Sequence, residues 1–93
     1  MNIENRAVKA AIKELPPAQA LALFDEYKIP SPYKEILTIV CVRRIRGFKA
    51  MDTLAKEHQI FLGYWTFVRR LKDALEMFRK ADKNACTPLE PLI

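Results

Sequence analysis

The sequence predicts an all-α fold: a single small domain of about five helices that contains a helix-turn-helix. Three observations carry that prediction. Apolar residues recur at three- and four-residue steps along the chain. No stretch shows the apolar-polar alternation of a half-buried strand. A chain of 93 residues, 51% apolar and 29% charged, has the composition of a globular protein with one modest core. The domain is expected over residues 1–82, with the helix-turn-helix at about 49–81. Residues 83–93, which hold Pro88 and Pro91, are expected to form an irregular tail.

The first helix is expected from Ile3 to Glu14, where Ile3, Ala7, Ala10, Ala11 and Ile12 are mixed with charges and Leu15-Pro16-Pro17 makes the stop. The two prolines suit the start of a second helix, through Ala18 to Lys28, with Leu21, Phe24 and Tyr27 spaced three apart before Ile29-Pro30 ends it. Ser31-Pro32 reads as N-cap and first-turn proline of a third helix. From Pro32 to Ile45 the run is roughly 14 residues, too long for an ordinary strand, and Gly47 is the natural residue past its C-terminus. A short fourth helix over Lys49 to His58 carries Met51, Leu54 and Ala55 on one face. After a turn from Gln59 to Gly63, the longest helix runs from Tyr64 to about Ala81, with Trp65, Val68, Leu71, Leu75 and Phe78 as its core stripe.

Composition removes several function classes. Cys41 and Cys86 are too few for a disulfide framework. The one histidine, His58, has no partner at metal-ligand spacing. With Gly47 and Gly63 as the only glycines, a phosphate-cradling loop cannot be built. No acid, base or nucleophile is paired by spacing, so neither an enzyme nor a cofactor nor a small-molecule substrate is expected. The longest apolar run, Ile36 to Val42, falls far short of the roughly 20 residues of a membrane span. No secretory signal is visible, which makes the cytoplasm the expected location.

The net charge of +5 is unevenly spread. Residues 1–40 balance, whereas residues 41–83 hold Arg43, Arg44, Arg46, Lys49, Lys56, Arg69, Arg70, Lys72, Arg79, Lys80 and Lys83 against Asp52, Glu57, Asp73, Glu76 and Asp82. Such an asymmetry points the second half toward an anionic partner, and arginine suits phosphates.

Residues 51–70 have helix-turn-helix spacing: Leu54 and Ala55 in the first helix, Ile60 after the turn, Trp65 and Val68 in the second. In that register Ala55 is small to let two helices cross, Trp65 is core, and Phe61, Leu62, Thr66 and Phe67 face DNA. Gln59 stands where a turn glycine is usual. Arg43, Arg44, Arg46 and Lys49 are candidates for phosphate contacts. Arg69 and Arg70 point about 100° apart, and Arg70, one turn after Thr66, is the expected DNA contact of the two. Gly63 and Tyr64 are expected at the start of the recognition helix, where Tyr64 either donates its hydroxyl to a phosphate or packs.

Ile36-Leu37-Thr38-Ile39-Val40, the later Gly47, then Glu57-His58-Gln59-Ile60, Gly63-Tyr64-Trp65 and Arg70-Leu71 together resemble the PapB family of adhesin-operon (fimbrial) transcription regulators. The likeness spans roughly residues 30–78, with Gln59 to Trp65 its most specific part; Phe61 and Leu62 depart from the polar residues of the family pattern. TrfB-type plasmid repressors are similar more distantly. Both resemblances imply a small bacterial regulator that binds double-stranded DNA as a homodimer or higher oligomer. A homodimer is also expected from the long helix, where Phe67, Ala74, Met77 and Ala81 form a second apolar stripe; either that stripe or the N-terminal helix is expected to meet its copy across a two-fold axis. The alternative is a phage- or plasmid-encoded adaptor or inhibitor that binds another protein through an apolar Phe61, Leu62 and Phe67 face.

Overall fold

The structure is a computed structural model and describes residues 3–82, so the tail expected over 83–93 lies outside the described residues. The fold is all-α: α1 (Ile3–Glu14), α2 (Pro17–Glu26), α3 (Tyr33–Leu37), which continues as a π-helical segment (Thr38–Val42), α4 (Gly47–His58) and α5 (Tyr64–Ala81). No strand occurs among the described residues, and no helix there is long and apolar enough to cross a membrane.

The third helix is the hub. Ile36, Leu37, Ile39, Val40 and Cys41 are all at most 2% exposed, and between them α3 and the π segment touch each of the other four helices. A helix apolar on all sides has to be surrounded, which is the arrangement found. The π segment ends sooner than the apolar run suggests. Arg43 N–H bonds Thr38 O five residues back, Arg44 takes a left-handed φ of 59°, and Ile45 N–H returns to Ile39 O at 3.0 Å. The helix therefore ends at Val42 and not at Ile45. Arg44, rather than Gly47, supplies the left-handed residue that closes it; Gly47, at φ 63°, opens α4 two residues before the expected start. The N-cap of α3 is Pro32, not Ser31, and α3 begins at Tyr33.

Around the hub, α1 buries Asn5, Val8 and Ile12 and exposes Ala7 and Ala10. In α2 the buried pair is Ala20 and Phe24, one turn apart, while Leu21 lies at the surface. Lys28, left-handed at φ 55°, closes α2 by a Schellman pattern: Lys28 N–H to Asp25 O and Ile29 N–H to Phe24 O, with Ile29 buried. Phe78 of α5 takes the edges of Phe24 and Tyr27, with ring centroids 5.9 and 5.2 Å apart.

The register of α5 corrects the sequence reading. Phe67, Leu71, Ala74, Leu75 and Phe78 are buried, whereas Trp65 is 78% exposed and Val68 lies at the surface. Leu71, Leu75 and Phe78 belong to both stripes, so periodicity beyond residue 70 was right and the first turns were misassigned. Position 67 lies one turn before Leu71 and under the same face; position 65 is turned about 140° from the centre of that face at 100° per residue. Two of the four residues expected to pair with a second copy, Phe67 and Ala74, are consumed by the protomer's own core, and Met77 packs against it.

Candidate nucleic-acid interface

Helices α4 and α5 are joined by residues 59–63. Gln59 caps α4 in the left-handed region, φ 54° and ψ 36°, its N–H on Ala55 O while Ile60 N–H reaches Leu54 O. The residue that replaces the usual turn glycine thus does adopt the conformation a glycine would favour. Ile60 and Leu62 then turn partly inward against the core, and Phe61 is thrown outward. Gly63 is the N-cap of α5 and accepts the Phe67 N–H at 2.8 Å. Nothing lies within 4 Å of where its Cβ would stand, so the backbone there is open to close approach.

The inner faces of the two helices are Ala50 with Leu54, and Phe67 with Leu71. Ala50, not the half-exposed Ala55, is the fully buried small residue of α4. Opposite them stands a group of exposed aromatic rings. Phe48 is 72% exposed, Phe61 76% and Trp65 78%. Tyr64 lies between two of them, 5.3 Å from the Phe48 centroid and 5.1 Å from that of Trp65. Phe48, Met51, Asp52, Ala55, Phe61 and Leu62 line one shallow groove of about 460 Å³ beside Gly63.

The candidate bases divide into three groups. Lys49, Arg46 and Arg69 are exposed, and the side chain of each is without an ion pair or hydrogen bond among the described residues. Arg69 lies one turn after Trp65, with Lys72 beside it on the outer face of α5. Arg43 is committed elsewhere: its guanidinium donates to both carboxylate oxygens of Glu57 at 2.8 and 3.2 Å, and that contact holds the Glu57 carboxyl below the usual carboxylate range. Arg44 donates to the Lys13 carbonyl at 2.8 Å and ties the segment before α4 to α1. Arg70 is half-buried with its guanidinium 6.0 Å from the Tyr33 ring centroid, so of the adjacent arginines it is Arg69 that faces outward with Trp65. Phe67, expected at the interface, is core at 3% exposure, because it heads the buried stripe of α5. Thr66 is exposed as expected.

Two contributions were missed in the sequence. Lys9 and Lys13 belong to the half with no net charge, yet α1 packs against the π segment and brings them beside Arg44 and Arg46. Lys9 is held below the ordinary lysine value, first by partial burial and then by the like charge of Lys13, with Arg46 adding to it. Their (i, i+4) spacing put both on one helix face and was the available signal. Phe48 was missed as well, although Phe48, Met51 and Ala55 form an i, i+3, i+7 stripe distinct from Ala50 and Leu54. The basic cluster runs through Arg46, the N-cap of α4, to Lys49 in its first turn, where no acid offsets the positive end of the helix dipole. No family model, curated protein or solved structure matches this chain.

Proposed function

We propose that this protein is a small DNA-binding regulator that uses α4 and α5 as a helix-turn-helix and lays the outer face of the first half of α5 against duplex DNA. The observation that carries the reading is the composition of that face. Trp65, Thr66 and Arg69 stand exposed together, every charged residue from 64 to 72 is basic, and Arg46 and Lys49 extend the charge across the start of α4. Backbone phosphates would be met by Lys49, Arg46 and Arg69, with Lys9 and Lys13 as an outlying pair. The resemblance to PapB-type regulators supports the same partner and a role in transcription.

Binding to a panel of labelled duplexes over a range of salt concentrations tests it. Affinity should fall steeply as salt rises, and Lys49→Ala and Arg69→Ala should each lower the slope of log affinity against log salt by about one. Thr66→Ala should change preference among duplexes more than total affinity, as a base-edge contact does. Absence of binding at low salt would overturn the reading. The groove between the exposed Phe48 and Phe61, with the exposed Trp65 on the same side of the molecule, favours one other function, an adaptor that docks a protein; its signature is capture of a single protein that persists in high salt.

A further inference from the structure

We infer that the aromatic face of α4 and α5 stacks on unpaired bases, so that the preferred ligand is DNA with single-stranded character, as in a bubble or a melted site, rather than an intact duplex. The inference rests on the nucleic-acid reading above: it keeps DNA as the partner and replaces the intact duplex by one with unpaired bases.

Reading an intact groove needs hydrogen-bonding groups at base edges, and the outermost positions of this face hold few of them. Its most exposed large side chains are Trp65, Phe61 and Phe48, each more than 70% accessible. Three aromatic rings of this exposure in one small region form an apolar surface of the kind a partner covers. Tyr64 touches both Phe48 and Trp65, which limits how those rings can swing, while the high exposure of the indole leaves it accessible to a flat ligand. In a duplex both faces of a base are occupied by its neighbours and only edges are presented; an unstacked base offers its face. The rim decides between a nucleic acid and a protein as the occupant. Lys49 follows Phe48 directly, Arg69 lies one turn beyond Trp65 with Lys72 beside it, and the acid of the groove lining, Asp52, is ion-paired with Lys56. Aromatic rings set among unpaired cations match a polymer that alternates flat bases with phosphates.

Trp65 is the only tryptophan, so its fluorescence reports this face alone. The full chain is titrated with oligothymidylate, with an intact hairpin duplex and with the same duplex carrying an unpaired bubble. Tryptophan emission and the anisotropy of labelled DNA are followed together. Emission should be quenched by oligothymidylate and by the bubble, and both should bind more tightly than the intact duplex. Trp65→Ala and Phe48→Ala should weaken oligothymidylate binding by about 5- to 150-fold, the range of one lost stacking contact. Trp65→Phe, which keeps a ring, should retain most of the affinity. Both residues are at the surface, and unchanged far-UV circular dichroism confirms that the variants fold. Salt-dependent binding of the intact duplex with no quenching, and with Trp65→Ala neutral, would overturn the stacking inference while leaving the DNA-binding reading in place. Failure of all three DNAs to bind at low salt would overturn both.

Discussion

Trp65 and Phe67 stand two residues apart on α5, and at 100° per residue they point to nearly opposite sides. Phe67 is enclosed at 3% exposure and Trp65 is at 78%, so truncating them should have very different costs. Phe67→Ala should lower stability by about 3–5 kcal/mol as a large core deletion, and Trp65→Ala by less than about 1 kcal/mol as a surface change. Chemical denaturation of the two variants measures the contrast, and native Trp65 should emit at the wavelength of an exposed indole. Gln59 offers a gain of the opposite sign. Its left-handed backbone is costly for a residue with a Cβ and free for glycine, so Gln59→Gly should raise the melting temperature, with a stabilisation of about 0.5–1 kcal/mol. Cys41 is enclosed within the hub at 1% exposure. Burial pushes its thiol from 9.0 to about 11, against the opposing pull of Lys9 and Lys13. A raised thiol value means less thiolate at a given pH, so in a Cys86→Ser background native alkylation by iodoacetamide should be very slow at neutral pH and accelerate only as the pH nears that value.

Among the elements, α4 supplies the Arg46–Lys49 side of the proposed interface. Its inner contacts are short side chains, Ala50 and Leu54, and Arg43 clasps Glu57 near its C-terminus from the segment that follows the π helix. That pair is exposed, so its loss should cost little stability. The positive end of α4 adjoins α1 through Arg46, and electrostatic repulsion among Lys9, Lys13 and Arg46 is relieved by any bound phosphate. Lys13→Ala should therefore lower the salt slope of DNA binding by about one if a phosphate lies there, although residue 13 belongs to the half of the chain without net charge. A salt titration of this variant beside Arg69→Ala checks it.

For the whole molecule, one helix is wrapped by four, and most of the long apolar stripe of α5 is used inside the protomer. Met77 packs partly against that core, so Met77→Glu should reduce stability by placing a carboxylate among apolar neighbours. Thermal denaturation and sedimentation equilibrium separate the outcomes: the melting temperature should fall while the native mass is unchanged. Phe67 and Ala74 are unavailable to a second chain, which leaves the half-buried Met77 and the exposed Ala81 of that stripe.

How much of this was legible beforehand depends on how many neighbours each residue has. The sequence determined the all-α class, because proline stops and three- and four-residue spacing act within one segment: Pro16-Pro17 marks the break between α1 and α2, and Leu71, Leu75 and Phe78 fix the inner face of the later turns of α5. It also determined that Lys49, Thr66 and Tyr64 lie at the surface. The tertiary structure decided the first turns of α5, where Trp65, Phe67 and Val68 fit either register by hydrophobicity alone and the packing of α3 against α5 selects Phe67. It likewise decided which arginines remain uncommitted. Arg43, Arg44 and Arg70 engage Glu57, the Lys13 carbonyl and Tyr33, residues 14, 31 and 37 positions away in sequence, whereas Arg46 and Arg69 do not. Such partners are chosen by where helices cross, and no local pattern of apolar and charged residues encodes that crossing.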